Sequence, residues 1–164
     1  MIRSLIPVIA PVLLAGLATS RAEAQEQTLK FRLVSHRVNA TMIPATEIEG
    51  HVLGVSKWRG VAVFEDGRLA NKDYIVSFDY MNGLGPFHGY STYTFEDGST
   101  IRARLDGVAE AGTDGRRVVR GEYSALTGTG QYEGVKGSGW FKSKPAPWDQ
   151  DTAFYDNEFK LTMP

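Results

Sequence analysis

The 164-residue chain contains no cysteine. That single absence excludes disulfides, thiolate zinc sites, a cysteine nucleophile and a lipidated cysteine. Neither sign of charge is in excess, since 18 Lys and Arg stand against 19 Asp and Glu for a formal net charge of −1. Nothing therefore draws the chain onto phosphate backbones or anionic lipid, and nucleic acid is not an expected partner. No stretch holds a 3.6-residue apolar period over 11 residues, which leaves no amphipathic helix to predict. Length and composition fit one globular domain and are too small for two ordinary ones.

The one long apolar run is N-terminal. Leu5 to Ala18 carries no charge, follows Arg3, and precedes Ala22-Glu23-Ala24, the small-x-small pattern of a signal-peptidase site. Its 14 residues, interrupted by Pro7 and Pro11, fall short of the ~20 that cross a bilayer. Residues 1–24 read as a secretory signal peptide, and residues 25–164 as the mature domain. Cleavage removes Arg3, Arg21 and Glu23 and leaves 16 basic and 18 acidic groups. The expected protein is secreted or periplasmic, with no membrane partner once the signal is gone.

Glycine is plentiful: 17 of the 18 follow residue 24, about an eighth of the mature chain against an average near ~7%. They punctuate β-branched and aromatic runs, as in a protein of many short strands. Leu29-Lys30-Phe31-Arg32-Leu33 alternates with period two. Gly60–Phe64 and Asp73–Tyr80 flank Glu65-Asp66-Gly67, and Phe-Glu-Asp-Gly recurs at Phe95–Gly98 between Phe87–Phe95 and Ser99–Val108. Asp-Gly supplies the positive φ of a tight hairpin, and Gly112-Thr113-Asp114-Gly115 joins the next strand, Val118–Thr127. Gly137–Lys144 and Asn157–Met163 complete seven or eight strands, separated by the loop Pro145-Ala146-Pro147-Trp148-Asp149. Consecutive antiparallel strands of this number protect their edges as a barrel or a sandwich.

Tyr74, Val76, Phe78 and Tyr80 share one face of their strand, while Ile75, Asp79 and Met81 lie on the other. Alternate residues point in opposite directions, so one barrel cannot enclose both apolar sets. Either the terminal segment through Tyr155 and Phe159 or a neighbouring subunit must cover the outside.

Gly128-Thr129-Gly130-Gln131-Tyr132-Glu133-Gly134-Val135-Lys136-Gly137 is the most distinctive segment. Its G-x-G-x-x-x-G spacing lacks the Lys-Ser/Thr and the following helix of a phosphate loop. The glycines instead permit positive φ and close approach beneath a barrel, with Tyr132 as an aromatic plug. The segment resembles the glycine-rich turn of allene oxide cyclases and, more distantly, of dirigent proteins. The order of features from Phe87 to Lys144 matches as well: an aromatic strand, an acidic turn, a strand opening at Ser99-Thr100-Ile101, then Ser124-Ala125-Leu126-Thr127 leading into the glycines. The resemblance implies an all-β, eight-stranded antiparallel barrel. It also implies a hydrophobic small molecule held inside without metal or other cofactor, and it favours a neighbouring subunit over the chain's own tail, so that a homo-oligomer, a trimer, is expected. In the plant cyclases an acid on the first strand acts on the substrate, whereas Phe31 to Arg37 here contains none.

His36, His51 and His88 lack the close spacing of metal ligands, so no metal site is expected. The G-x-S-x-G pattern of a serine nucleophile is missing. Asp79 and Glu122 are the candidate lumen acids and Arg104 their counter-charge, a trio able to run acid/base chemistry if buried together. The register that decides this is not fixed by local pattern. Two readings stand: an exported barrel that binds a hydrophobic small molecule without catalysis, or a cofactor-independent cyclase or isomerase working in the lumen.

Overall fold

Strong period-two alternation carries almost the entire chain into strands. The structure, a computed structural model, describes residues 25–45, 47–144 and 151–164. The expected signal peptide and the loop containing Trp148 lie outside the described residues. Eight strands run in chain order: β1 (Gln25–Pro44), β2 (His51–Phe64), β3 (Leu69–Met81), β4 (Gly85–Phe95), β5 (Thr100–Ala111), β6 (Arg117–Thr129), β7 (Lys136–Lys144) and β8 (Thr152–Met163). Each pairs antiparallel with the next, and β8 returns to β1, closing the barrel. Among the described residues the only helix is a 3₁₀ turn at Gly130–Tyr132, so none is long and apolar enough to cross a membrane.

The three expected hairpins join β2 to β3, β4 to β5 and β5 to β6. The first two strands are much longer than their alternating cores suggested, because β1 bends through a register shift between Arg37 and Asn39 and continues to Pro44. A second shift, between Arg102 and Arg104 on β5, lies opposite Ala125 of β6, which takes φ +49°. This bulge reverses the phase of β6, so Leu126 rather than Ala125 is buried.

The interior is layered. Around the closed end Phe31, Phe64 and Phe95 pack with Tyr132, which sits 4.8 Å from Phe95 in ring centroids. The glycine-rich segment wraps beneath the barrel as expected: Gly130 and Gly134 take φ +62° and +74°, a conformation that costs a side chain dearly, and Tyr132 is thereby turned inward as the plug. Arg68 donates a hydrogen bond to the Tyr132 hydroxyl. Higher up, Gly89 lets neighbouring strands meet, since a Cβ there would stand 2.0 Å from the Ile75 carbonyl oxygen.

The C-terminal segment does not wrap the outside. Phe159 is fully buried and Tyr155 packs against Phe141 on the lumen side, because β8 is an integral stave of the barrel. Outside, an apolar patch stays uncovered: Val34 pairs with Val61, Val63 with Leu69, and Ile75 with Tyr90, which is 66% exposed.

Candidate functional site

The plugged end leaves the barrel open at the other, where a cavity of about 620 Å³ descends between the ends of β2, β3, β6 and β8. Its walls follow from the inward phase of those strands. Trp58 stacks on Tyr74 at 5.9 Å and 10°, and Phe78 stacks on Tyr80 at 4.6 Å and 20°. Phe87, Tyr155 and the aliphatic Val119 complete an apolar, largely aromatic lining relieved by the hydroxyls of Ser56 and Ser143. A volume of this size holds a drug-sized molecule, and aromatic walls with a few polar atoms are the usual make-up of such sites.

Below the cavity lies a polar layer, assembled because β3 continues its inward phase from Tyr74 back to Lys72. Lys72 is 3% exposed and is the only Lys, Arg, Asp or Glu among the buried described residues. Its Nζ donates to the Tyr123 hydroxyl at 2.9 Å and lies 4.5, 5.0 and 5.0 Å from the ring centroids of Tyr74, Tyr93 and Tyr123. Tyr93 donates to Tyr123 at 2.9 Å, and Tyr123 in turn donates to Asn157 Oδ1 at 2.9 Å. The Tyr74 hydroxyl meets Ser35 Oγ at 2.8 Å and also the Tyr155 hydroxyl.

Ring faces attract a cation, but no buried carboxylate assists them, and desolvation dominates. Burial holds the Lys72 amine well below the ordinary lysine value. The same burial raises the phenols. Tyr155 is pushed up to about 12, and Tyr74 and Tyr93 stand well above their usual value. The layer thus combines an amine inclined to be neutral with phenols that keep their protons.

A small void of about 20 Å³ touches Lys72, Tyr123 and Leu105. Tyr74, Phe87 and Tyr155 wall both this void and the large cavity, so they form the partition between the two. At the mouth, Arg37 pairs with Asp151, Arg116 with Asp114 and Lys144 with Asp156. Arg117 differs in donating to the Gly83 carbonyl at 3.0 Å and the Tyr80 hydroxyl at 3.2 Å, both neutral acceptors.

The structure places the expected trio elsewhere. Asp79, Glu122 and Arg104 all lie on the outer face and are exposed. Asp79 Oδ1 meets His51 Nε2 at 2.6 Å, and Arg104 is forked onto Asp106 at 2.8 and 2.9 Å, which holds the guanidinium above its usual value. In register Arg104 faces Ser124, and Glu122 faces Asp106. They are not gathered into one site, and the lumen placement expected of them is corrected: even-numbered β6 positions before the bulge point outward, as do odd-numbered β3 positions. His36 and His88 likewise bond Thr152 and Ser77 on the outside. No group of three or more metal-ligating side chains converges among the described residues.

Comparison with solved structures shows which fold this is. The barrel superposes on the pterocarpan synthase dirigent protein PsPTS1 with a TM-score of 0.61 at 15% identity, covering 85% of this chain and 96% of that one. The pterocarpan synthase dirigent protein GePTS1 gives 0.60 at 13% identity, over 86% and 92%. A conserved protein of unknown function from Rhodopseudomonas palustris gives 0.54 at 12% identity, over 85% and 99%. No protein-family model matches the chain, and no curated protein matches it by sequence. The fold is the dirigent-like barrel, as the glycine-rich turn implied.

Proposed function

We propose that the protein is an exported barrel that binds a hydrophobic, aromatic-compatible small molecule in its lumen without a resident cofactor. The observation that carries this reading is the aromatic cavity of about 620 Å³ at the open end of a barrel plugged at the other. Trp58, Tyr74, Phe78 and Tyr80 offer flat apolar faces, and the Arg117 guanidinium suits an acidic or strongly polar group trailing at the mouth. The dirigent proteins of like fold are named for pterocarpan synthesis, which is consistent with a ring-bearing guest. Native mass spectrometry of protein recovered from its envelope or medium tests the reading. A bound small molecule that is lost when Val76 or Val119 is enlarged to Trp supports it, and an empty barrel that takes up no aromatic compound in calorimetric titration refutes it. The same spectra should show a mature N-terminus at Gln25.

The second reading, a cofactor-independent isomerase or cyclase, is favoured by one feature, the buried amine and phenols under the cavity. Turnover of a bound guest into an isomer would establish it.

The outer apolar patch around Val61, Val63, Ile75 and Tyr90 fits burial against further copies of the chain. A trimer is expected, and light scattering that returns one chain mass at all micromolar concentrations would dismiss it.

A further inference from the structure

Lys72 is hard to explain as a stabilising residue. A lysine in a barrel centre forfeits its hydration, and among the described residues one hydrogen bond to a neutral phenol and three tyrosine ring faces are the compensation, with no carboxylate to pair the charge. A leucine or methionine would fill the same space at less cost. The surrounding groups have chemistry in common: each of Tyr74, Tyr93, Tyr123 and Tyr155 is a phenol that retains its proton. The void beside the amine is about 20 Å³, enough for one water-sized group. Ser91, inward on the neighbouring β4, has a buried hydroxyl with no hydrogen-bond partner among the described residues, so the lumen still has polar capacity to spare.

From this arrangement we infer that Lys72 is a nucleophile that captures an aldehyde carried on the hydrophobic guest, by forming an imine at the base of the cavity. This rests on the lumen-binding reading and names the reactive group of its guest. The apolar body occupies the cavity, and the carbonyl, the only part small enough, passes Tyr74, Phe87 and Tyr155 into the void. The Nζ lone pair attacks the carbonyl carbon, a C–N bond forms, and the C=O π pair moves to oxygen, which takes a proton to give the carbinolamine. In forming and then dehydrating the carbinolamine nitrogen gives up both of its protons, the hydroxyl takes the second and leaves as water, and a C=N bond replaces C=O. Oxygen lost as water balances the step, and no oxidant or reductant is needed. Tyr155, on the wall between void and cavity, is positioned to lend and recover the proton on oxygen. A proton-bearing phenol suits that role better than a carboxylate, which would pair with the amine and hold it charged.

The test uses the full mature chain with 3-phenylpropanal and sodium cyanoborohydride at pH 7, and 3-phenylpropanol as the matched guest that cannot form an imine. Exposed lysines with ordinary values are less than about one part in a thousand neutral at that pH. Peptide mapping should therefore find one 3-phenylpropyl group on Lys72, at a level at least about tenfold above any exposed lysine, with 3-phenylpropanol competing. Lys72→Met should lose that adduct while keeping its β-sheet circular dichroism, and the calorimetric binding of 3-phenylpropanol is read on the unaltered protein. Labelling spread over exposed lysines, with Lys72 unmodified although 3-phenylpropanol binds, overturns the inference and leaves the binding reading intact. If 3-phenylpropanol does not bind and Lys72 is unlabelled, both fall. Should Lys72→Met fail to fold, the mapped adduct in the unaltered protein decides alone.

Discussion

Replacing Lys72 with methionine should make the protein more stable, by an amount that depends on pH in a defined way. Methionine fills nearly the same volume and removes only one bond from a hydroxyl that still accepts from Tyr93 and donates to Asn157, so no polar atom is stranded. In the unfolded chain Lys72 titrates near its ordinary 10.5, whereas in the barrel burial depresses it well below that. Between the two values the unfolded state holds one proton more than the folded state. The sign follows: the folded form is favoured fully above about 10.5 and loses stability as pH falls, by about 1.4 kcal/mol per unit, until the depressed folded value is passed. The variant has no such slope. Urea titrations from pH 7 to pH 10 should show Lys72→Met ahead at pH 7, with the gap closing as pH rises above the depressed folded value, at a limiting slope of about 1.4 kcal/mol per pH unit, or roughly 3–6 °C per unit in thermal midpoint. A gap independent of pH, or a variant less stable throughout, would show that three tyrosine faces suffice to keep the amine charged, and the reasoning on its neutrality would fail.

Asn157→Leu should cost about 1–3 kcal/mol in urea unfolding, because the Tyr123 hydroxyl loses its acceptor inside the barrel. Asp79→Asn, Glu122→Gln and Arg104→Gln should each leave guest affinity unchanged and shift stability by no more than about 0.5 kcal/mol. A tenfold loss of affinity in any of them would move the functional site out of the lumen. Gly89→Ala should cost at least about 1–3 kcal/mol, since its methyl group would collide with the Ile75 carbonyl, and a normal thermal midpoint would contradict the close approach of β3 and β4.

Much of the barrel was legible in local signals. The Asp-Gly turns, the alternation of Leu29-Phe31-Leu33 and the glycines around Tyr132 each report a conformation that neighbours alone can specify, and each lies where expected. The inward phase of Tyr74, Val76, Phe78 and Tyr80 was readable as well, because these large side chains recur at every second position. Two things were not. The turn of phase at Ala125 has no local marker, so which β6 residues face inward follows only from pairing with β5 across the bulge. The polar layer escapes a reading that begins this strand at Asp73, one residue after Lys72. A lysine reads as surface by default, yet extending the period-two pattern back from Tyr74 through Lys72 to Ala70 puts it on the buried face. The acids draw attention by their chemistry, and their exposure is a matter of phase that chemistry does not encode.

A vessel with one opening also sorts its contents by direction. With Tyr132 sealing the floor, a guest held as proposed would have to enter and leave through the same door, between stacked aromatic walls. The end that went in first would then be the end to reach Lys72, and the end that lagged would meet Arg117. Under the proposed reading, orientation would be chosen at the threshold, before any group inside could act, and head would be told from tail by the order of arrival.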